Sequence, residues 1–379
     1  MIEDFKDGES DDDGHTGGVA DSHGADPCAA FDLEAEIAAG AAFVEVDPAV
    51  KHGVAATVRA AAEDGTLGRG GESLSERDTC THGDEDTRVT ALRSLLHDAA
   101  LALISARCSD DLDEGRLEAE LLYGEVSGLS RASVIARGGE EASGETVTQF
   151  EGLLGRRLSH EPLAYILGRR ECYGMTFEVE PGVLIPRPDT ETLIEVTLTA
   201  VRAHPGARRL VRVADVGTGS GLVGLAVAKH AVATKVYSLD SSTTALAAAG
   251  RNRKRFGLES RVVLLAGYLL ESLPERVDVV TANLPYVPTA VIETLAAEVR
   301  EWEPAGALDG GADGLDVIRA LVGQLAEHLV DGPRAVLLEV GVGQASEVAE
   351  LMEAVVGGTA RVHLDLGGVE RVVEVRRGF

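Results

Sequence analysis

The chain has little that would cross-link it or carry it into a membrane. Its 379 residues include four cysteines, Cys28, Cys80, Cys108 and Cys172, far apart and without a Cys-x-x-Cys pair or a nearby histidine cluster. That spacing indicates neither a disulfide framework nor a zinc site. No apolar run approaches the roughly 18 residues a membrane helix needs. The first residues are acidic rather than basic and then apolar, so no secretory signal is expected. A soluble, cytoplasmic protein is expected. Positive charge is also short: the formal net charge is −28, and only five of the 35 basic residues are lysine. The lysine scarcity, with the Ala, Gly and Val bias, fits a GC-rich coding sequence better than a functional device. A chain this acidic has no overall electrostatic footprint for a phosphate backbone, which disfavours nucleic acid as the main substrate.

The acidity is uneven. Residues 1–87 hold 22 acidic and 5 basic side chains, in Gly-, Asp- and Ser-rich stretches with few large apolar residues. This composition predicts an acidic, mostly disordered extension, with short helices possible over 31–46 and 54–62. From residue 88 a helical period begins. Leu92, Leu95, Leu96, Ala99 and Leu103 form one apolar stripe, and further helices are expected around Leu117–Leu122, Ala132–Ala136 and Val147–Leu158. Residues 88–168 therefore read as a small helical bundle. Over 169–186 the period changes: Met175–Val179 alternates, Pro181-Gly182 offers a turn and Val183–Ile185 resumes an extended run, which predicts a β-hairpin linker.

Over 187–379 strands and helices alternate. Strands are expected at Val211–Val216, Lys235–Leu239, Val262–Leu265, Val277–Ala282 and Ala335–Val340, with helices opening after Pro188 and at Leu222, Thr243 and near Leu315. This is the pattern of a parallel, doubly wound α/β sheet. Arg361–Leu366 and Val369–Val375, joined by Gly367-Gly368, read as a hairpin with a two-residue turn, so the last strand of the seven should run antiparallel.

Two short motifs carry the chemistry. Asp215 ends the first strand of this sheet, and Gly217, Thr218, Gly219 and Gly221 form a tight turn before a helix N-terminus. Such a turn admits a dinucleotide pyrophosphate or the amino-acid end of S-adenosylmethionine, and Asp240, ending the next strand, is placed for ribose hydroxyls in either case. The G-x-G-x-G spacing and the absence of anything suited to hydride transfer favour the methyl donor. The second motif, Asn283-Leu284-Pro285-Tyr286, ends the fourth strand. An amide or ring-amine nitrogen is a poor nucleophile because its lone pair is delocalised, so a site must orient it. The Asn283 side-chain oxygen and the Leu284 carbonyl can each accept one N–H of a substrate NH2 group, Pro285 stiffens the turn, and the Tyr286 ring can lie against the planar group.

Taken in order, Glu161–Gly168, Tyr173-Gly174, Leu184–Glu191, Asp215–Gly221, Asn283–Tyr286, Glu303-Pro304 with Ala307–Leu315, and Leu338–Gly341 with Gln344 resemble the HemK/PrmC protein-(glutamine-N5) methyltransferases. The resemblance covers about residues 88–379. It implies a Rossmann-like class I methyltransferase domain behind a helical substrate-recognition domain and the hairpin. It also implies methyl transfer from S-adenosylmethionine to the glutamine of the Gly-Gly-Gln motif in peptide-chain release factors, by a monomer without a metal. Asn283, Leu284, Pro285 and Tyr286 would then form the catalytic turn. Asp215, Gly217, Thr218, Gly219, Gly221 and Asp240 would hold the cofactor, and Arg187, Pro188 and Glu191 would border the substrate.

Two positions depart from the family pattern: Leu284 stands where proline is usual, and Gly267-Tyr268 where Gly-Asp often lies near the adenine. Asn-Leu-Pro-Tyr is also common in adenine-N6 methyltransferases, so RNA or DNA adenine stays open as a substrate. So does a degenerate binder of a translation factor. Tyr268 is placed beside the adenine in either enzymatic case.

Overall fold

A computed structural model of the chain describes residues 91–206 and 210–379. The acidic extension and the helices expected over 31–46 and 54–62 lie outside the described residues. Among the described residues no helix is long and apolar enough to cross a membrane, and no group of three or more His, Cys, Asp or Glu side chains could hold a metal ion.

Among the described residues five helices come first: α1 (Leu92–Ser105), α2 (Leu112–Ser127), α3 (Arg131–Ala136), α4 (Gly144–Leu158) and α5 (Leu163–Leu167). The α1 stripe does what its period implies, burying Leu92, Leu96, Ala99 and Leu103 against Leu122 and Phe150. Local signals set the ends. The Asp111 carboxylate accepts from the Asp113 and Glu114 amides, both at 2.9 Å, to start α2, and Gly128 ends it at φ 69°.

The hairpin differs from the expectation. Its strands are β1 (Arg169–Cys172) and β2 (Met175–Glu178), paired antiparallel. The turn between them is Tyr173-Gly174, at φ 52° and 62°; positive φ at both central residues is the geometry that matches strand twist. Pro181-Gly182 is not the hairpin turn, and Val183–Ile185 is not a strand. Its backbone is satisfied elsewhere: the Ile185 amide donates to Glu303 Oε2 at 3.1 Å. The charged run Arg169–Glu171 hid β1 from a search for alternating apolar residues.

The remainder is a sheet of seven strands: β3 (Val211–Val216), β4 (Thr234–Asp240), β5 (Val262–Ala266), β6 (Val279–Ala282), β7 (Arg334–Glu339), β8 (Ala360–Leu364) and β9 (Glu370–Arg377). They lie in the order β5-β4-β3-β6-β7-β9-β8. Pairings from β5 to β7 are parallel, and β9 runs antiparallel between β7 and β8. The final turn is one residue longer than expected: the Asp365 amide donates to the Val369 carbonyl at 2.8 Å, leaving Leu366, Gly367 and Gly368 as the loop, with Gly368 at φ 82°. Helices α6 (Thr190–Ala203), α7 (Leu222–His230), α8 (Thr243–Arg255), α11 (Asp316–His328) and α12 (Ala345–Val356) cover the sheet, and two single turns, α9 (Thr289–Ile292) and α10 (Ala297–Arg300), follow β6. Helix α12 was not anticipated, although Ala345, Val348, Met352 and Val356 line its buried face. The order changes direction between β3 and β6, so the carboxyl ends of β3, β4 and β6 open onto one crevice, where ligands of such sheets bind.

Candidate active site

The glycine-rich turn leaves β3 at that crevice. Gly217, Gly219 and Gly221 all have positive φ, at 71°, 57° and 89°, conformations that L side chains adopt at a cost. Space is a second constraint at Gly217, where a Cβ would stand 3.1 Å from Leu284 Cδ2 and 3.2 Å from the Asn283 carbonyl oxygen. The two motifs are thus in contact. Asp215 lies beneath the turn, 1% exposed; its Oδ2 accepts from the Thr218 hydroxyl at 2.5 Å and from the Gly224 amide at 2.9 Å. Burial raises the Asp215 carboxyl to about 6 against these two hydrogen bonds. Asp215 and the buried Thr218 therefore brace the turn, and Gly217, Thr218 and Gly219 line the crevice. Asp240, half-buried at the end of β4, accepts from the Gly219 amide at 2.9 Å and the Ser242 amide at 2.8 Å. Tyr268, after β5, is 47% exposed.

Asn283-Leu284-Pro285-Tyr286 follows β6. Asn283 Nδ2 donates to Thr190 Oγ1 at 3.0 Å, and neither Asn283 Oδ1 nor the Leu284 carbonyl has a hydrogen-bond partner among the described residues. Two acceptors on consecutive residues are thus left without a partner among the described residues. Leu284 buries its side chain, 4% exposed, in the core of the sheet. Tyr286 is held at both ends. Its hydroxyl donates to Glu339 Oε1 at 3.3 Å, and its carbonyl accepts from Gln344 Nε2 at 3.0 Å. Gly314 and Gly341 make room for it: a Cβ on Gly314 would overlap the Tyr286 carbonyl, and one on Gly341 would stand 3.2 Å from the Tyr286 ring.

Glu339, at the end of β7, is 1% exposed. Burial lifts its carboxyl to about 7, opposed by the Thr190 hydroxyl, the Arg371 guanidinium and the Tyr286 hydroxyl. Tyr286 is itself pushed up to about 12, by burial first and by Glu339 second, so it stays a donor. Arg371 ion-pairs with Asp189 at 3.2 Å and Asp365 at 3.0 Å. Glu339, Thr190, Gln344 and Arg371 were not singled out from the sequence. For Thr190, Glu339 and Gln344 the signal available was their place within the quoted segments, where a residue's neighbours in space cannot be read; Arg371 lies outside those segments.

The segment 187–191 divides in two. Arg187 lines the crevice with Thr190 and Asn283 and pairs with Glu303, whose carboxyl burial raises and Arg187 opposes. Pro188 is exposed at the start of α6. Glu191 points instead to the hairpin, accepting from the Tyr173 amide at 2.7 Å; it ties β1–β2 to α6 rather than lining the crevice. The helical segment is joined to residues beyond the catalytic turn by Arg157, 2% exposed. Arg157 pairs with Glu118 at 2.8 Å and with Glu298 of α10 at 2.8 Å.

Comparison with known proteins agrees with this anatomy. Residues 95–168 match the PrmC N-terminal domain family, and residues 194–307 match the family described as ribosomal protein L11 methyltransferase (PrmA). The chain is 40% identical over 268 residues to the release factor glutamine methyltransferase of Geobacter sulfurreducens, covering 70% of this chain and 91% of the relative. It is 36% identical over 282 residues to that of Bradyrhizobium diazoefficiens, covering 74% and 94%. Among solved structures, the release factor-specific protein-(glutamine-N5) methyltransferase of Alicyclobacillus acidocaldarius is 30% identical, with 54% of this chain and all of that chain covered at a TM-score of 0.34.

Proposed function

The chain belongs to the release factor glutamine methyltransferase family, and from that premise we propose how its residues transfer a methyl group from S-adenosylmethionine to the glutamine amide of a release factor's Gly-Gly-Gln motif. One observation carries the proposal: the Asn283 carboxamide is tied back through Nδ2 to Thr190, and among the described residues neither its Oδ1 nor the carbonyl of the next residue, Leu284, has a hydrogen-bond partner.

The residues present fit the cofactor. The turn at Gly217 and Gly219 lines the crevice without side chains, and the half-buried Asp240 carboxylate is an acceptor suited to ribose hydroxyls. Bound S-adenosylmethionine supplies an electrophilic methyl on its sulfonium. Asn283 Oδ1 and the Leu284 carbonyl each accept one N–H of the substrate amide, which fixes the plane of the NH2 group and turns the face of the nitrogen toward the methyl. Pro285 holds the two acceptors in register, and the Tyr286 ring flanks the amide. Methylation leaves the nitrogen strongly acidic, so its proton passes to water and no side-chain base is required.

Arg187 and Pro188, at the rim, face the incoming peptide. Residues 92–167 dock the body of the release factor, and Tyr268 covers the adenine. The protein works as a monomer in the cytoplasm, since both motifs belong to one chain and its substrates serve ribosomes. The test is transfer of labelled methyl to a purified release factor. Label is expected in the Gly-Gly-Gln protein and not in its Gly-Gly-Ala counterpart; equal labelling of both would overturn the assignment.

A further inference from the structure

The chain leaves β7 through Gly341-Val342-Gly343-Gln344, a tight turn in which the Gln344 amide donates to the Gly341 carbonyl at 3.2 Å and Gly343 takes φ 78°. This turn delivers Gln344 to the start of α12, and every part of its carboxamide is used. Nε2 donates to the Tyr286 carbonyl at 3.0 Å and to the Asp313 carbonyl at 3.3 Å, while Oε1 accepts from the Gly341 amide at 2.9 Å. The opposite orientation would set Oε1 against two carbonyl oxygens and the NH2 group against an N–H. The three partners therefore fix which end of the carboxamide lies where.

Each partner belongs to a different connection: Tyr286 follows β6, Gly341 follows β7, and Asp313 leads into α11. Upstream of the catalytic turn the chain is held by the pairings of β6 with β3 and β7. Downstream it is held by a short ladder, in which Val287 N–H donates to the Leu308 carbonyl, Gly310 N–H to the Val287 carbonyl and Thr289 N–H to the Gly311 carbonyl, each at 2.9 Å. Between these two stretches the Tyr286 carbonyl takes its hydrogen bond from Gln344. The Tyr286 ring rests against the same turn: a Cβ on Gly341 would stand 3.2 Å from Tyr286 Cδ2 and 3.0 Å from Gln344 Oε1, and one on Gly314 would stand 2.6 Å from Gln344 Nε2. Gln344 does not itself line the crevice, so whatever it does there passes through Tyr286.

We propose that Gln344 is a positioning residue for the methyl transfer: its carboxamide clamps the Tyr286 backbone to the loop at Asp313 and to the turn after β7, and so holds the Asn283 and Leu284 acceptors and the Tyr286 ring in place. This rests on the transfer to an amide nitrogen argued above, but the clamp is complete before any substrate binds.

Two substitutions with different consequences test it. Gln344→Met keeps the length of the side chain and removes all three hydrogen bonds. Gln344→Glu keeps the acceptor for the Gly341 amide and sets a carboxylate oxygen against the Tyr286 and Asp313 carbonyls. Amide hydrogen exchange is read first, without substrate. The Val287, Thr289 and Gly310 amides are expected to exchange about 10-fold faster in both variants, the Gly341 amide to lose protection in Gln344→Met alone, and the amides of β3 and β4 to keep wild-type rates. In turnover, kcat should fall about 10-fold or more in both variants while the cofactor Kd and the KM for a release factor stay within about twofold. A general loosening of the domain would move all three together. Wild-type exchange at Val287, Thr289 and Gly310 in both variants, or faster exchange with an unchanged kcat, would overturn the clamp. Failure of the wild-type enzyme to methylate a release factor would leave the exchange result standing and overturn only the substrate.

Discussion

Asn283 and Thr190, 93 positions apart in the chain, are joined by a 3.0 Å hydrogen bond between the Asn283 amide nitrogen and the Thr190 hydroxyl. It brings the start of α6 to the turn after β6, and it leaves the acceptor end of Asn283 without a hydrogen-bond partner among the described residues. Replacing Asn283 with alanine removes one of two positioned acceptors. Turnover is expected to fall about 100-fold or more with cofactor binding retained. Single-turnover rates and cofactor titration check both halves, and a wild-type rate would remove Asn283 from its role.

Asp240 should separate cleanly from Asn283. Its carboxylate holds the Gly219 and Ser242 amides, so Asp240→Ala loses a charged acceptor and loosens the turn. Cofactor affinity is expected to weaken roughly 10-fold or more, the scale of one charge-assisted hydrogen bond. Calorimetry reads this directly. An unchanged dissociation constant would exclude ribose recognition.

Gly217 couples the two motifs. Alanine there meets both a left-handed backbone and the Leu284 and Asn283 contacts at 3.1 and 3.2 Å, so the catalytic turn must shift. Cofactor affinity and kcat should fall together, unlike in either variant above. The left-handed backbone alone costs about 1–2 kcal/mol of stability, which a denaturant titration measures.

Arg157 is a stability element. Truncation to alanine leaves Glu118 buried without its partner, at a cost of about 3–5 kcal/mol. Burial already raises the Glu118 carboxyl, and Arg157 is what opposes that rise. In Arg157→Ala the folded-state value climbs further above the unfolded one. The deficit should therefore be smallest at acid pH, where Glu118 is neutral in both states, and grow as pH rises through the folded-state value. Urea midpoints at pH 5 and pH 8 test the sign; a larger deficit at pH 5 would contradict it.

Much of this architecture is legible in the residues. The α1 stripe, the strand from Val211 to Val216 and the crevice turns follow from periods and glycines, because local sequence decides them. The hairpin turn was misplaced because Arg169–Glu171 is charged and exposed, and its pairing rests on Tyr173 accepting a positive φ of 52°. Glu339 and Thr190 were quoted without roles, because their hydrogen bonds, Thr190 to Asn283 and Glu339 to Tyr286, join segments that only the folded sheet brings together. Glu191 shows the converse: a carboxylate beside the site in sequence faces the Tyr173 amide in space.

The most direct measurement is fragment mass spectrometry of a release factor's Gly-Gly-Gln peptide after incubation with the protein and S-adenosylmethionine, with Asn283→Ala and an RNA substrate run in parallel. A single methyl on the glutamine side chain, lost in the variant and absent from RNA, is the expected result. Methylated RNA with an unmodified peptide would contradict it.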